Sequence, residues 1–297
     1  MMYARILGLW LFMHMALAGP WMTGPLLAPS GKTIPPGHFN IEPYGFYTVY
    51  PQDFKNIEAM PIISAGINEF MDLQTSLPID YSWARGQHGS GIGDYSLGLG
   101  IQLLRQQDNS WRPDARLIIQ EVFPTGRFEN LHPEKRGTDQ TGSGSYQTSL
   151  ALTLQRLSRL PNEHYLRTRL NLTVTMPSDV TVEGLNVFGG SVGTSGSVKP
   201  GDNYAADLAF EYTLTQHWVA VFETLYNNSS SSSFNGNPGF TPGASVGGPG
   251  GNNASLAPAL EYNFNANVGI IGGVWFSVTG PHAAKFTAYT VAVNWFI

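Results

Sequence analysis

The chain has 297 residues, 21 acidic against 16 basic side chains, a formal charge of −5 and no cysteine. Without cysteine there is neither a disulfide framework nor a lipoprotein anchor, so stability must come from extensive burial or closed hydrogen bonding. The mild negative charge argues against a nucleic-acid partner, for which a basic patch is expected.

In chain order, Arg5 is followed by the apolar run Ile6 to Ala18, ending in Ala16-Leu17-Ala18 before Gly19. This is the pattern of a secretory signal peptide, and the run is shorter than the ~18 to 20 apolar residues that span a bilayer as a helix. Residues 1–18 are therefore set aside as an export signal. Residues 19–36, rich in Pro and Gly, read as a disordered leader or as a plug threading the lumen of a barrel formed by the rest of the chain, the leader being preferred.

From residue 37 onward the pattern is two-residue alternation broken by turn residues. Charged residues are only 12% of the chain, and Gly (34), Phe (16) and Tyr (13) are plentiful. About twelve segments read as strands: 37–50, 61–70, 73–84, 92–105, 112–124, 144–157, 164–176, 204–214, 217–227, 254–264, 266–277 and 284–297. The clearest places Tyr204, Ala206, Leu208, Phe210, Tyr212 and Leu214 on one face and Ala205, Asp207, Ala209, Glu211 and Thr213 on the other. In 164–176, Arg167 and Arg169 share a face opposite Leu166, Leu170 and Leu172. Arginines aimed at lipid are costly near the midplane, so their face is assigned to an interior. Two segments break the rule, with Glu121 on the parity of Leu117 and Ile119, and Glu223 on that of Val219 and Val221. A bulge in each, or an error of register, is expected there.

Connections after even-numbered segments are short, whereas 125–143, 177–203 and 228–253, after odd-numbered ones, are long. Short periplasmic turns, long external loops and an even strand number are the signature of an outer-membrane barrel. The expected fold is therefore all-β: a transmembrane antiparallel up-and-down β-barrel of about twelve strands over residues 37–297, in the outer membrane. Tyr50, Trp83, Tyr95, Tyr146, Tyr204 and Tyr226 near the outer strand ends, with Trp111, Tyr165, Trp218 and Phe264 near the inner ones, fit two aromatic girdles. The last strand, ending Tyr289, Val291, Val293, Trp295 and Ile297 at alternate positions, resembles the C-terminal signal read by the barrel-assembly machinery, with Ile297 where Phe is usual. The Ser- and Gly-rich stretches 189–197, 229–233 and 236–251 read as external loops unable to order themselves.

Parity sends Glu42, Asp80, Asp94, Arg167, Arg169, Asp207, Glu211 and Glu261 inward as candidate pore-lining residues. Gly91-Ile92-Gly93-Asp94 fails as a nucleotide fingerprint, since no helix follows, and reads as a tight external turn. His88 and Ser90 resemble the His-x-Ser pair of outer-membrane phospholipases, but no neighbouring Asn orients the base, so no enzyme is expected. The seven histidines are scattered, and Glu129, Glu134 and Asp139 read as solvated loop charges; neither metal nor cofactor is expected.

Pro36-Gly37 leading into Phe39-Asn40-Ile41-Glu42-Pro43-Tyr44, then Leu77-Pro78, Gly91-Ile92-Gly93-Asp94 and Phe123-Pro124-Thr125-Gly126, resemble a family of proteobacterial outer-membrane proteins named for the meta-pathway of phenol degradation. The resemblance covers most of the chain after the export signal. It implies a transporter-like barrel for passive uptake of small hydrophobic or aromatic molecules, embedded in outer-membrane lipid. The alternatives are a non-conducting surface barrel with interaction loops and, behind it, a phospholipase.

Overall fold

The computed structural model describes residues 19–107, 110–279 and 285–297; the expected export signal, 1–18, lies outside them. The strands are β1 (Phe39–Val49), β2 (Phe54–Asn68), β3 (Met71–Ser76), β4 (Ile79–Ala84), β5 (Gln87–Ile92), β6 (Tyr95–Leu104), β7 (Asp114–Phe123), β8 (Gln147–Arg159), β9 (Tyr165–Pro177), β10 (Val180–Glu183), β11 (Ser195–Lys199), β12 (Asn203–Thr213), β13 (Trp218–Ser229), β14 (Ser233–Asn237), β15 (Gly251–Asn263), β16 (Val268–Thr279) and β17 (Thr287–Phe296). Twelve of them (β1, β2, β3, β6, β7, β8, β9, β12, β13, β15, β16 and β17) form a closed antiparallel up-and-down barrel, with β17 returning to β1. Closure of these twelve strands leaves no open edge in the wall itself, which a bilayer would not tolerate; β5, at the external end, is paired on one side only. It is completed at the periplasmic rim by reciprocal backbone bonds of 2.9 Å between Phe39 and Ile297.

The alternating pattern explains the two faces. Ile57, Ile63, Leu73, Ile79, Leu150, Leu172, Phe222, Leu260, Tyr289, Val291 and Trp295 are exposed on the outside, while Asp72, Arg116, Arg169, Asp207, Glu211, Glu223 and Glu261 are buried within. For a transmembrane barrel this inversion is the expected solution.

β3 and β4 are two halves of one wall strand facing β2, interrupted at Leu77-Pro78 because proline has no N–H for the ladder. β5 and β6 are likewise halves of the next strand, broken at Gly93-Asp94, and Gly93 N–H donates to Pro78 O across the two breaks (2.8 Å). Gly91-Ile92-Gly93-Asp94 is thus a mid-strand break and no turn. The turn lies at Arg85-Gly86, both at positive φ (47° and 84°). Above the break β5 keeps β4 as its one strand neighbour, and its other side faces the 124–146 connection.

Two expectations are corrected. β13 keeps an unbroken register with both neighbours, so Glu223 needs no bulge: Val219, Val221 and Glu223 all point inward, and Phe222 points out. Between β6 and β7 the register shift sits at Gln102/Leu104 of β6, far from Glu121, which faces outward at the external end of β7 and accepts a bond from Thr148 (2.7 Å). The long loops also are not shapeless. β10, β11 and β14 form a three-stranded sheet above the outer mouth. Val180, Val182 and Val198 are buried there against Phe128, Phe188, Phe234 and Val246.

Candidate functional site

Residues 19–36 run inside the periplasmic half of the barrel, not as a free leader. Proline and glycine keep most of the segment out of a ladder, so its buried backbone polar groups need other partners. The inward side chains supply them. Glu223 accepts from the N–H groups of Leu26, Leu27 (3.0 Å) and Ala28 (2.9 Å); Glu261 accepts from Thr23 N–H (2.5 Å) and its hydroxyl (2.7 Å). Gln155 takes Gly31 N–H (3.1 Å), Gln102 takes Thr33 N–H (2.8 Å) and Asp72 takes Ile34 N–H (2.8 Å). The segment's carbonyls receive cations: Arg167 on Met22 O (3.3 Å), Arg169 on Ala28 O (3.1 Å) and Arg116 on Ser30 O (3.2 Å).

Apolar packing fixes the same segment. Leu26 is fully buried against Val219, Val221, Ala257, Ile271 and Ala292 on the inner faces of β13, β15, β16 and β17. Burial of one such side chain stabilises by about 1.5–3 kcal/mol. This is why the inward face of β13 carries valines beside a glutamate. Gly66 and Gly100 serve close approach: a Cβ on Gly66 would meet Pro35 O at 1.9 Å, and one on Gly100 would meet Asp72 Oδ1 at 2.0 Å.

The charges around the segment are paired. Arg116 Nη2 lies 2.5 Å from Asp72 Oδ1. Glu211, fully buried, takes Arg167 through Nη2 and Nε, the latter at 2.6 Å, and faces Arg169 Nε at 3.5 Å. Such buried pairs lower one another's desolvation cost, and removing one member costs more than the pair contributes.

Of the eight residues named from parity, Arg167, Arg169, Glu211 and Glu261 therefore meet at the segment. Asp207 is 6% exposed on the same face of β12 as Glu211, its Oδ1 without a hydrogen-bond partner. Glu42 accepts from Asn294 (2.9 Å) across β1 and β17. Asp80 accepts from Asn56 (3.0 Å), higher up. Asp94 holds the 124–146 connection, accepting from Gly126 N–H (2.9 Å) and from Ser143 N–H and hydroxyl (2.7 Å each). Parity reasoning passed over Asp72, Gln102, Arg116, Gln155 and Glu223; the misfit of Glu223 with its valine neighbours was the available signal.

Three cavities follow one another along the inner faces of β2 and of β3 with β4. The outermost, about 510 Å³, is lined by Tyr50, Asn56, Glu58, Asp80 and Arg136. The next, about 500 Å³, shares Glu58 and Asp80 and adds Met60, Ser76, Asp94, Gln120 and Val122, under the residues 140–143. The lowest, about 410 Å³, lies between the inner wall and the N-terminal segment, with Tyr44, Ile62, Gln74, Met22, Leu27 and Glu42 on its surface. Volumes of this size hold small organic molecules.

His88 and Ser90 are exposed on the outer face of β5, with the His88 ring against Tyr81 at 6.4 Å. Among the described residues no three His, Cys, Asp or Glu side chains group as for a metal.

A closed twelve-stranded barrel with an apolar exterior and a buried polar interior is a transmembrane β-barrel of the bacterial outer membrane. Residues 25–294 match the family described as "MetA-pathway of phenol degradation", and the chain belongs to that family. Among solved structures, the COG4313 outer membrane channel from Pseudomonas putida F1 superposes with a TM-score of 0.65 at 12% identity, over 91% of this chain and 100% of that one. At that identity the likeness is one of fold. The NanC porin (TM-score 0.45, 8% identity, 86% of this chain and 98% of that one) and the TodX monoaromatic hydrocarbon channel (0.38, 9%, 89% and 90%) are more distant. Comparison with curated protein sequences returns no match.

Proposed function

We propose that the barrel passes small hydrophobic or aromatic compounds passively across the outer membrane, without catalysis. The observation that carries this reading is the stack of three cavities down the inner faces of β2, β3 and β4, ending on the N-terminal segment. Their walls mix apolar side chains (Phe54, Met60, Val122, Ile62, Tyr44) with a few carboxylates and amides, as suits a molecule with an apolar body and one polar group. The family's description, which refers to phenol degradation, supports the same substrate class. Asp80 and Asp94 border the upper cavities and Glu42 and Arg169 the lowest, and these are the proposed lining of the path. Arg167 and Glu261 act through the segment they hold, Glu211 through the two arginines it pairs, and Asp207 is proposed to face the bore from the same side of β12 as Glu211. Outer-membrane lipid surrounds the barrel, and the barrel-assembly machinery inserts it through its C-terminal strand.

The experiment is uptake of a radiolabelled monoaromatic solute by liposomes carrying the purified barrel, with single-channel recording beside it. Uptake above that of protein-free liposomes is expected. No uptake together with no conductance sinks the reading and favours a surface barrel, for which the exposed Val192 and Phe240 (67% and 77%) near the small outer sheet are the supporting observation.

A further inference from the structure

We propose that the groove between β5 and the 124–146 connection binds the phosphate group of an outer-leaflet lipid, the lipid A of lipopolysaccharide. The groove encloses about 450 Å³, and His88, Ser90, Ile92, Arg127 and Lys135 line it. It exists because β5 parts from β7 above the Tyr95–Phe123 pair, leaving one side of β5 without a strand neighbour. His88, Ser90 and Ile92 belong to the outward face of that strand and are exposed.

Level and charge identify the occupant. Below the groove, Tyr95, Phe123 and Tyr146 touch in series (ring centroids 5.8 and 6.0 Å apart), and beside it Tyr81 and Trp83, the strand partners of Ser90 and His88, pack together (5.6 Å). Tyr81 and Tyr146 are 46% and 53% exposed, so this is a stretch of interfacial aromatic belt. Side chains one step beyond such a belt lie at the depth of the lipid phosphates, where cations are favoured. The cations there are Arg127 and Lys135. Neither forms an ion pair among the described residues; Lys135 Nζ donates to His88 O (3.2 Å) and Arg127 Nη2 to Asn130 O (3.0 Å). The one carboxylate lining the groove, Asp139, is engaged at Oδ2 by His132 N–H (3.0 Å) and Nδ1 (3.3 Å), with its Oδ1 unpartnered, and the same His132 ring nitrogen lies 3.4 Å from Arg127 Nη2. A guanidinium and an ammonium with donors to spare, near a serine hydroxyl, match a phosphate's acceptor oxygens. Ile92, at the barrel end of the groove, and Tyr81, beside Ser90, offer the apolar surface that suits the start of the acyl chains. This arrangement gives His88 and Ser90 a place at a headgroup with no catalytic role.

The test measures binding of lipid A to the detergent-purified full barrel by native mass spectrometry. Lipid A bearing both phosphates is expected to bind at least about tenfold more tightly than lipid A stripped of phosphate, the cost of losing charge-assisted hydrogen bonds. The Arg127→Gln/Lys135→Gln double variant should show the same loss, and Arg127→Lys/Lys135→Arg should keep most of the binding. Lys55→Gln, which removes a cation already paired with Asp53 at 3.2 Å, should change nothing. Equal binding of the two lipid A forms by the unmodified barrel overturns the proposal without depending on any variant's folding. So does full displacement of lipid A by millimolar inorganic phosphate, which would make free phosphate the ligand.

Discussion

The two halves of the lumen are built differently. In the periplasmic half, inward charges are spent on one another or on the N-terminal segment: Asp72 on Arg116 and Ile34, Glu211 on two arginines, Glu223 on three successive N–H groups, Glu261 on Thr23. In the outer half, Glu58 and Asp80 border open cavities with Asn56 and Ser82, and Arg136 is the cation that approaches them. Dense pairing around the segment produces a fixed closure below, whereas sparse pairing produces a receptive vestibule above. The same alternating strands serve both, so the difference comes from a stretch of chain that is not a strand at all.

The contrast can be broken most severely by removing the segment. Deleting residues 19–34 while keeping residues 1–18 should raise single-channel conductance severalfold, because what fills the lower bore is gone; unchanged conductance would show that the constriction lies elsewhere. Next in size, Glu211→Gln strands two buried arginines and should destabilise the barrel by about 3–5 kcal/mol. Asp80→Asn, in the vestibule, should stay within about 0.5 kcal/mol. Urea unfolding in lipid compares the two, and similar losses would erase the distinction between the halves. Glu223→Gln should act locally, weakening the hold on Leu26, Leu27 and Ala28 by roughly 1.5–3 kcal/mol and speeding amide exchange there by at least about tenfold. The smallest effect belongs to Glu58→Gln with Asp80→Asn, which should reduce the cation preference of the residual conductance, read as a reversal potential moving toward zero under a salt gradient.

Strands were legible because alternation is a local property. Tyr204 to Leu214 carries its two faces in eleven consecutive letters, and the long and short connections oriented the barrel independently. The segment 19–36 was not legible, since what orders it lies far along the chain: Glu223 is 197 residues from Leu26 and Glu261 is 238 from Thr23. Nothing in Pro25-Leu26-Leu27-Ala28-Pro29 announces those partners. Glu223 left a trace as a charge on an apparently apolar face, yet its meaning depended on Leu26 filling the gap beside it. The small outer sheet was missed for a related reason. Strands of four or five residues inside Ser/Gly-rich loops have too little periodicity to register, and only their assembly buries Val182 and Val198.

The central claim, that small aromatic molecules descend the inner face of β2, is tested most directly with cysteines placed in this cysteine-free chain. Met60→Cys points into the second cavity, and Ile63→Cys, at a position 43% exposed, faces lipid. Each is labelled with a bulky maleimide after folding, and uptake of a labelled monoaromatic solute into liposomes is followed. Modification at position 60 should abolish most of the protein-dependent uptake, and modification at position 63 should leave it intact. Full uptake through a barrel modified at position 60 would contradict the account.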